Sequence, residues 1–401
     1  MFWESVQKWV LIAICTVASP VAAQDLVIPS DRVTSHVNVR SAPNISASEI
    51  DQLQVGESAQ LLGDVPRWYE VQLSGGRRGF VSKAWTTISL ALAPRQVDEL
   101  RIHFLNIGAG TCTIVESPGP GAPPMIVDCG STGATANDLN AQQTRDYIRN
   151  VLAQHQTPPN IVLSHADVDH YSRMPLVLDD VGVASVWQGG DPNDYTSSNF
   201  PTWVTDQEGR GAELHRESPE GWHNDGQPVS ELSCGNASTF VLTVNVGTSK
   251  NAQSLVLMIE YQDFTIVFTG DAEGETEQQA IDNFPGVLKA TVMTSSHHGA
   301  SSEGSNSQVW AEVMAPEVLI SSAGNRLFHP RCTATTRFTT LASTKRHEVR
   351  CGDSGSYTNS RTNSAHYVTE VNGAIIVTSN GRSPLALHCT RSAECGVRIP
   401  H

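Results

Sequence analysis

The amino-acid sequence predicts a layered α/β domain preceded by a small all-β barrel. Three observations carry this. Residues 25–92 run as short apolar strands separated by Gly, Pro and Asp, the texture of a small barrel. After Pro94 the pattern changes to apolar strands alternating with longer helical stretches, which fold as α/β layers. In that second region the apolar strands repeatedly end in polar clusters rich in His and Asp. A chain of 401 residues has room for one large domain and one small one.

With 39% hydrophobic and 17% charged residues, the composition is globular rather than disordered or fibrous. The formal net charge of −15 works against a surface built for phosphate backbones, so nucleic acid is a disfavoured partner. Residues 1–23 read as a secretory signal peptide. Val10 to Ala18 is apolar, Ser19-Pro20 follows, and Val21-Ala22-Ala23 is a small-residue end. That stretch is too short to span a bilayer and no later one is long enough. The expectation is an exported chain, secreted or periplasmic. Cleavage leaves Cys112, Cys129, Cys234, Cys332, Cys351, Cys389 and Cys395, an odd set in which at least one thiol stays unpaired. No CxxC spacing occurs, which argues against a thiolate zinc site.

Within 25–92 the strands are carried by "VNVRSAP", "IDQLQVGESAQLLG" and "WYEVQLSGGRRGFVSKAW". A linker, 91–100, leads into the larger domain, 98–390. There "LRIHFLNIG" and "PMIVDCG" read as strands. Residues 137–156 read as a helix with Leu139, Tyr147, Ile148, Val151 and Leu152 mostly on one face, and Asn137 or Asp138 available as its cap. "NIVL" is a short buried strand. The stretch 188–235, rich in Gly, Asp, Asn and Ser and holding Trp203 and Trp222, reads as a long functional loop. "SLVLMIEYQDFTIVFTG" reads as a hairpin turning at Gln262-Asp263, and "EVLISSAG" as a further strand. "ETEQQAIDNF", "SNSQVWAEVMA" and "TATTRFTTLAS" read as helices.

The chemistry concentrates after "NIVL". Residues 164–172, "SHADVDHYS", place His165, Asp167, Asp169 and His170 on one loop at a strand end, a rigid platform for aiming several side chains at one point. An isolated DxD is ordinarily a solvated turn, but imidazole and carboxylate in this register are the ligand types of a divalent hydrolytic metal. Three more strand ends come later in the chain: Asp271 after "TIVFTG", His297-His298 after "ATVMTSS", and Asn325 with His329 after "EVLISSAG". Each alone is an ordinary turn or surface residue; together they are a ligand set. His36, His103, His155, His215, His223, His347, His366 and His388 lack partners at ligand spacing and read as surface or packing residues.

Two resemblances sharpen this reading. Asn38-Val39-Arg40-Ser41, Val55-Gly56, Trp68-Tyr69-Glu70-Val71 and Gly79-Phe80-Val81-Ser82 resemble the bacterial SH3-like domain, with Phe80 where a second tryptophan is usual. That resemblance implies binding of cell-wall peptidoglycan or simple tethering; a passive module fits equally. The larger domain resembles the metallo-β-lactamase-fold hydrolases, more narrowly the extracellular hydrolase domain of the competence protein ComEC. The matching stretches are Asn106 to Thr111, Asp128-Cys129-Gly130, Ser164 to His170, Asn251 with Ser254, Thr269-Gly270-Asp271, His297 to Ala300, and Ser322 to Pro330. Asn106, Thr111, Tyr171 and Ala300 depart from the group's pattern, which touches substrate positioning and not the metal motifs.

The resemblance implies an αββα sandwich binding two divalent metal ions, Zn2+ or Mn2+. It places His165 and Asp167 on one ion, Asp169 and His170 on the other, and Asp271 between them. His297 or His298 and His329 complete the shells, with their apportionment open. The implied catalytic residues are Asp169, Asp271 and His298, an unligated late histidine protonating the leaving group. Asp167 stands where the wider fold has histidine, and a carboxylate makes that site more tolerant of manganese or magnesium.

The expected function is an exported dinuclear-metal hydrolase of phosphoesters or phosphodiesters. Two other readings use the same residues: hydrolysis of a β-lactam or lactone, and a non-catalytic cell-wall-binding protein with a vestigial site. "CGDSGSYT" resembles the nucleophile segment of chymotrypsin-like proteases around Ser354, but that chemistry needs an upstream histidine segment and the only look-alike, "LALHC", lies downstream. Gly108 and Gly110 lack the third glycine of a dinucleotide loop and read as a tight turn.

Overall fold

Val27, Val37, Val39, Leu53, Ala59, Tyr69, Val71 and Val81 pack together from the N-terminal strands, and their enclosure is what closes the first unit. In the computed structural model the antiparallel strands run in the order Glu49–Gln54, His36–Arg40, Arg78–Ser82, Trp68–Gln72, Ala59–Val65, Leu26–Pro29, Thr86–Ser89. The structure describes residues 26–30, 33–89, 96–135, 138–197, 199–216, 226–338, 343–353, 355–382, 385–390, 395 and 398–399. The signal-peptide reading, Trp222 and Ser354 fall outside them. Tyr69 is in the barrel core, whereas Trp68, on the opposite face of its strand, is buried against a cavity it lines with Val33, Asn38, Ile45 and Trp85.

The second unit is an αββα sandwich. Among the described residues, one sheet has nine strands and the other six. Phe104, Val115, Val127 and Val162 on the first meet Leu257, Ile259, Ile266, Val292 and Ile320 on the second in one apolar layer. Helices Ala141–Leu152 and Phe200–Gly209 cover the outer face of the nine-stranded sheet through Tyr147, Ile148, Val151, Phe200, Trp203 and Val204. Helices Gly274–Asn283 and Gln308–Met314 cover the other sheet through Ala280, Trp310 and Met314.

Strand direction brings the polar clusters together. Strands Met125–Gly133, Asn160–Leu163 and Ser185–Gln188 are parallel neighbours, as are Phe264–Phe268, Val292–Thr294 and Val318–Ser321. Their carboxyl ends therefore open side by side, the usual place for a site in such sheets. Leu163 leads into Ser164, Phe268 into Thr269-Gly270-Asp271, and Thr294 into the His297-His298 turn.

Several expectations change in detail. The first helix spans Ala141–Leu152 and is capped by Asn140, not Asn137 or Asp138; Asn140 and Gln143 form a reciprocal capping box. Asp138 instead accepts from Asn106 Nδ2 at 3.0 Å and from the Thr135 amide at 2.6 Å. The stretch 188–235 is not one long loop. It contains helix Phe200–Gly209 and strand Glu213–His215, and Trp203 is buried in the core. Here the loop-forming composition of the flanks masked Phe200, Trp203, Val204 and Gln207, which recur at helical spacing.

Gln143 also joins the two units, its Nε2 donating to the carbonyls of Lys83 and Thr86 at 3.1 Å each. The cysteine arithmetic resolves into Cys112–Cys129, Cys332–Cys351 and Cys389–Cys395, with Cys234 a buried thiol outside these bridges that donates to Ser117 Oγ at 3.2 Å. His103 and His155 belong to packing rather than surface: both Nε2 atoms lie 2.9 Å from the buried Glu116 carboxylate.

Candidate metal centre

The site is built from the first sheet upward. Gly130 lets helix Val168–Tyr171 rest directly on strand Met125–Gly133; an added Cβ would stand 2.5 Å from the Tyr171 and 2.6 Å from the His170 amide nitrogens. That contact seats His170. Its Nδ1 lies 2.8 Å from Asp128 Oδ2, and the same carboxylate accepts from the Ser164 amide and hydroxyl at 2.7 Å each. Ser164 Oγ also lies 3.0 Å from His165 Nδ1. With their Nδ1 atoms occupied, both imidazoles turn Nε2 toward one place.

The second sheet supplies the facing groups. The Asp271 backbone amide donates to Ser254 Oγ at 3.0 Å, and the side chain presents both carboxylate oxygens. Oδ1 lies 3.1 Å from His170 Nε2 and 3.5 Å from His298 Nε2; Oδ2 lies 3.7 Å from His297 Nε2 and 3.9 Å from His165 Nε2. His298 Nδ1 donates to the Ser322 carbonyl at 2.8 Å, and its Nε2 stands 3.6 Å from Asp169 Oδ2. Asp167 Oδ2 is 3.7 Å from His165 Nε2, with its side chain 41% exposed at the mouth.

Two donor groups result. Atoms of His165, His170 and Asp271 lie within 4.8 Å of one another, and so do atoms of Asp169, His170 and His298. Buried His165 Nε2, Asp271 Oδ1 and His297 Nδ1 make no hydrogen bond. Each such orphan costs about 1–3 kcal/mol, and two of the three, His165 Nε2 and Asp271 Oδ1, face into the cluster. Imidazole and carboxylate donors aimed at a shared point fit divalent cations. The predicted residues His165, Asp167, Asp169, His170, Asp271, His297 and His298 thus come together. His329 stands one ring further out, its centroid 5.6 Å from His297 and 6.4 Å from His298.

The protonation pattern of these side chains reflects their crowding. Burial works to raise Asp169, yet the His298 hydrogen bond and the His170 and His298 charges hold it at about 2. Burial likewise opposes the ionised form of Asp271, but His298, His170 and His297 hold it well below the carboxylate range. Against burial, Asp271 and Asp128 lift His170 well above an ordinary imidazole. Burial pushes His329 down to about 3, and His298 and His297 add to it. The residues that orient this cluster were not assigned from sequence: Asp128, Ser164, Ser254 and the Ser322 carbonyl. All four stood in matched motifs, and that was the available signal.

A sandwich of this topology, with paired donor groups at the carboxyl ends of both sheets, defines a class of metal-dependent hydrolase fold. Residues 105–304 match the metallo-beta-lactamase superfamily and residues 35–87 the bacterial SH3 domain. The chain therefore carries a metallo-beta-lactamase superfamily domain over 105–304, with a bacterial SH3 domain ahead of it. It is 42% identical over 84 residues to ComE operon protein 3 of Bacillus subtilis (strain 168), a match spanning 20% of this chain and 10% of that protein. Among solved structures it is similar to the metallo-beta-lactamase fold protein YhfI from Bacillus subtilis, with 10% identity, a TM-score of 0.38, and 70% of this chain and 100% of that one covered. Human tRNase Z, short form, is similar at 13% identity and a TM-score of 0.32, covering 60% and 96%. Among the described residues no helix is long and apolar enough to cross a membrane.

Proposed function

We propose that the protein is an exported dinuclear-metal hydrolase of phosphoesters, including phosphodiesters. The observation that carries the dinuclear reading is Asp271, whose two oxygens face two different donor groups. In this reading His165, Asp167 and His297 would hold one ion and Asp169, His170 and His298 the other, with Asp271 shared between them. Zinc or manganese suits the mixed donors, and Asp167 at the exposed end tilts that half toward the harder ion. When bound, such a pair supplies Lewis acidity and an activated water. The chain's own residues do the rest. Asp128 and Ser164 fix the imidazoles of His170 and His165, and Asp271 keeps the two halves in register. His329, outside the close donors and kept neutral by burial, is placed to donate a hydrogen bond to a phosphoryl oxygen as negative charge builds on it.

The phosphoester class is supported by the resemblance of the motif set to the ComEC-like group. The barrel is proposed to bind cell-wall peptidoglycan outside the cell, consistent with its family. The test is hydrolysis of a bis(nitrophenyl) phosphate, a β-lactam and a lactone by the purified protein loaded with zinc or manganese. Turnover of the phosphodiester supports the reading. Turnover confined to the lactam or lactone replaces it, and no turnover with full metal loading favours the binding-protein alternative.

A further inference from the structure

His297 and His298 occupy consecutive left-handed backbone positions, φ 49° and 54°. Residues with side chains adopt that conformation rarely, and it persists where the surroundings over-determine it. Here backbone bonds from the His297 amide to the Gly270 carbonyl and from the Arg331 amide to the Gly299 carbonyl are joined by one side chain that spans the turn. Asn306 Oδ1 accepts from the Ser296 amide at 3.1 Å, and Nδ2 donates to the carbonyls of Ser296 and Ala300 at 2.7 Å each. A single amide group thereby closes both ends of the turn that carries the two histidines.

Asn306 is itself fully buried and left-handed, at φ 55°. Glu277, projecting from helix Gly274–Asn283, holds it there. Its Oε1 accepts from the Asn306 amide at 2.7 Å and from Ser296 Oγ at 2.8 Å, and Oε2 accepts from the Ser307 amide at 2.9 Å. From the other side Arg337 Nη1 donates to the Asn306 carbonyl at 2.9 Å. None of these bonds involves a donor atom of the metal centre. All of them act on the segment that aims two.

We infer that Asn306, backed by Glu277, is a positioning residue of the metal centre. The clamp sets where His297 and His298 present Nε2 and so sets metal affinity on both sides of Asp271. The left-handed pair is what allows neighbouring histidines to serve different halves: His297 faces Asp271 Oδ2, whereas His298 faces Oδ1 and Asp169. A relaxed turn would let both rings drift together. This inference rests on the metal reading proposed above.

The test uses the full chain with and without zinc, reading metal affinity by chelator competition and the rise in unfolding temperature on metal addition. Asn306→Asp keeps the size and the acceptor but sets a carboxylate oxygen against two carbonyls. It is expected to weaken affinity on the order of 10–100-fold, as loss of an outer-shell partner does, and to shrink the metal-induced rise. Val151→Ala, in the core beneath a different helix, is the control for plain destabilisation: it should lower both unfolding temperatures alike and leave affinity unchanged. Glu277→Ala should repeat the loss, and Glu277→Gln, which retains the Oε1 contacts, should recover most of it; this pair decides the matter if Asn306→Asp does not fold. Unchanged affinity in Asn306→Asp or in Glu277→Ala, with a wild-type protein that binds metal, overturns the clamp alone. A wild-type protein that binds no metal overturns the metal reading and the clamp's role with it.

Discussion

The Asp128 carboxylate lies 2.8 Å from Nδ1 of His170, on the side of the ring opposite the donor cluster. Because Asp128 also accepts both the amide and the hydroxyl of Ser164, it fixes the orientation of His170 and the start of the loop that carries His165. Its backbone is left-handed, φ 52°, a conformation that Asp and Asn tolerate better than most residues. Asp128→Asn should therefore keep the fold and lose the orientation, weakening metal binding about 10–100-fold. Chelator competition measures this. Wild-type affinity in the variant would mean that His170 is aimed by its own loop alone.

Asp271 gives the sharpest stoichiometric prediction. Wild-type protein should bind about two divalent ions per chain. Asp167→Ala should lose the ion on the Oδ2 side and Asp169→Ala the one on the Oδ1 side, whereas Asp271→Asn should lower both together and abolish hydrolysis in step. Elemental analysis and turnover measured on the same samples decide it. Full activity in Asp271→Asn would take the reaction away from this pair.

Separation along the chain governs how much of the site was legible in the sequence. His165, Asp167, Asp169 and His170 share one loop, so their spacing marked a candidate ligand cluster. Asp271, His297 and His298, each weak alone, were picked out because their strand ends follow in the order of the ComEC-like motifs. Which late histidine serves which half could not: 297 and 298 are neighbours, and only the left-handed backbone turns them to different oxygens of Asp271. Asn306 and Glu277 bond across 29 residues, so neither carries a local signal. The Asn140 cap was missed by two or three residues because Asn137, Asp138 and Asn140 are all capable cap residues, and tertiary contacts of Asp138 decided between them.

His329 is expected to act on the substrate rather than on the metal. It stands beyond the close donors, against His297 and His298, and burial keeps it neutral, so it serves as a hydrogen-bond donor and not as an acid. His329→Ala should leave metal content unchanged and lower phosphodiester turnover about a hundredfold. The loss should be similar with a nitrophenyl leaving group, because no proton is transferred. A fall in metal content would assign His329 a ligand role instead.

Gln143 tests how the barrel is attached. Its Oε1 accepts from the Asn140 amide at 3.0 Å while Nε2 serves Lys83 and Thr86. Gln143→Glu keeps the acceptor for the helix cap and turns a donor into an oxygen facing two carbonyls. Calorimetry should then show the barrel melting before the sandwich, with metal content unaffected. A single transition at the wild-type temperature would show that other contacts hold the two units together.

The buried Glu116 predicts an acid-side stability loss that owes nothing to metal. Burial alone would raise its carboxyl, but hydrogen bonds from His103 and His155 and the Arg101 charge hold it well below the carboxylate range. Burial in turn keeps His103 below an ordinary imidazole, more strongly than Glu116 raises it. The signs agree. A carboxylate depressed in the folded state contributes stability above its unfolded value of 4.5, lost as pH falls through that value toward the folded one. A depressed imidazole contributes above its unfolded value of 6.5 and loses that contribution as pH falls further. Glu116→Gln leaves one histidine facing an amide nitrogen and should cost on the order of 1–3 kcal/mol at neutral pH. Below about pH 4.5 the wild-type advantage should shrink toward zero. Unfolding of both chains with chelator present, from pH 3.5 to 7.5, isolates the effect as their difference. A difference that stays constant across that range would mean that the ionised carboxylate contributes no more than its packing.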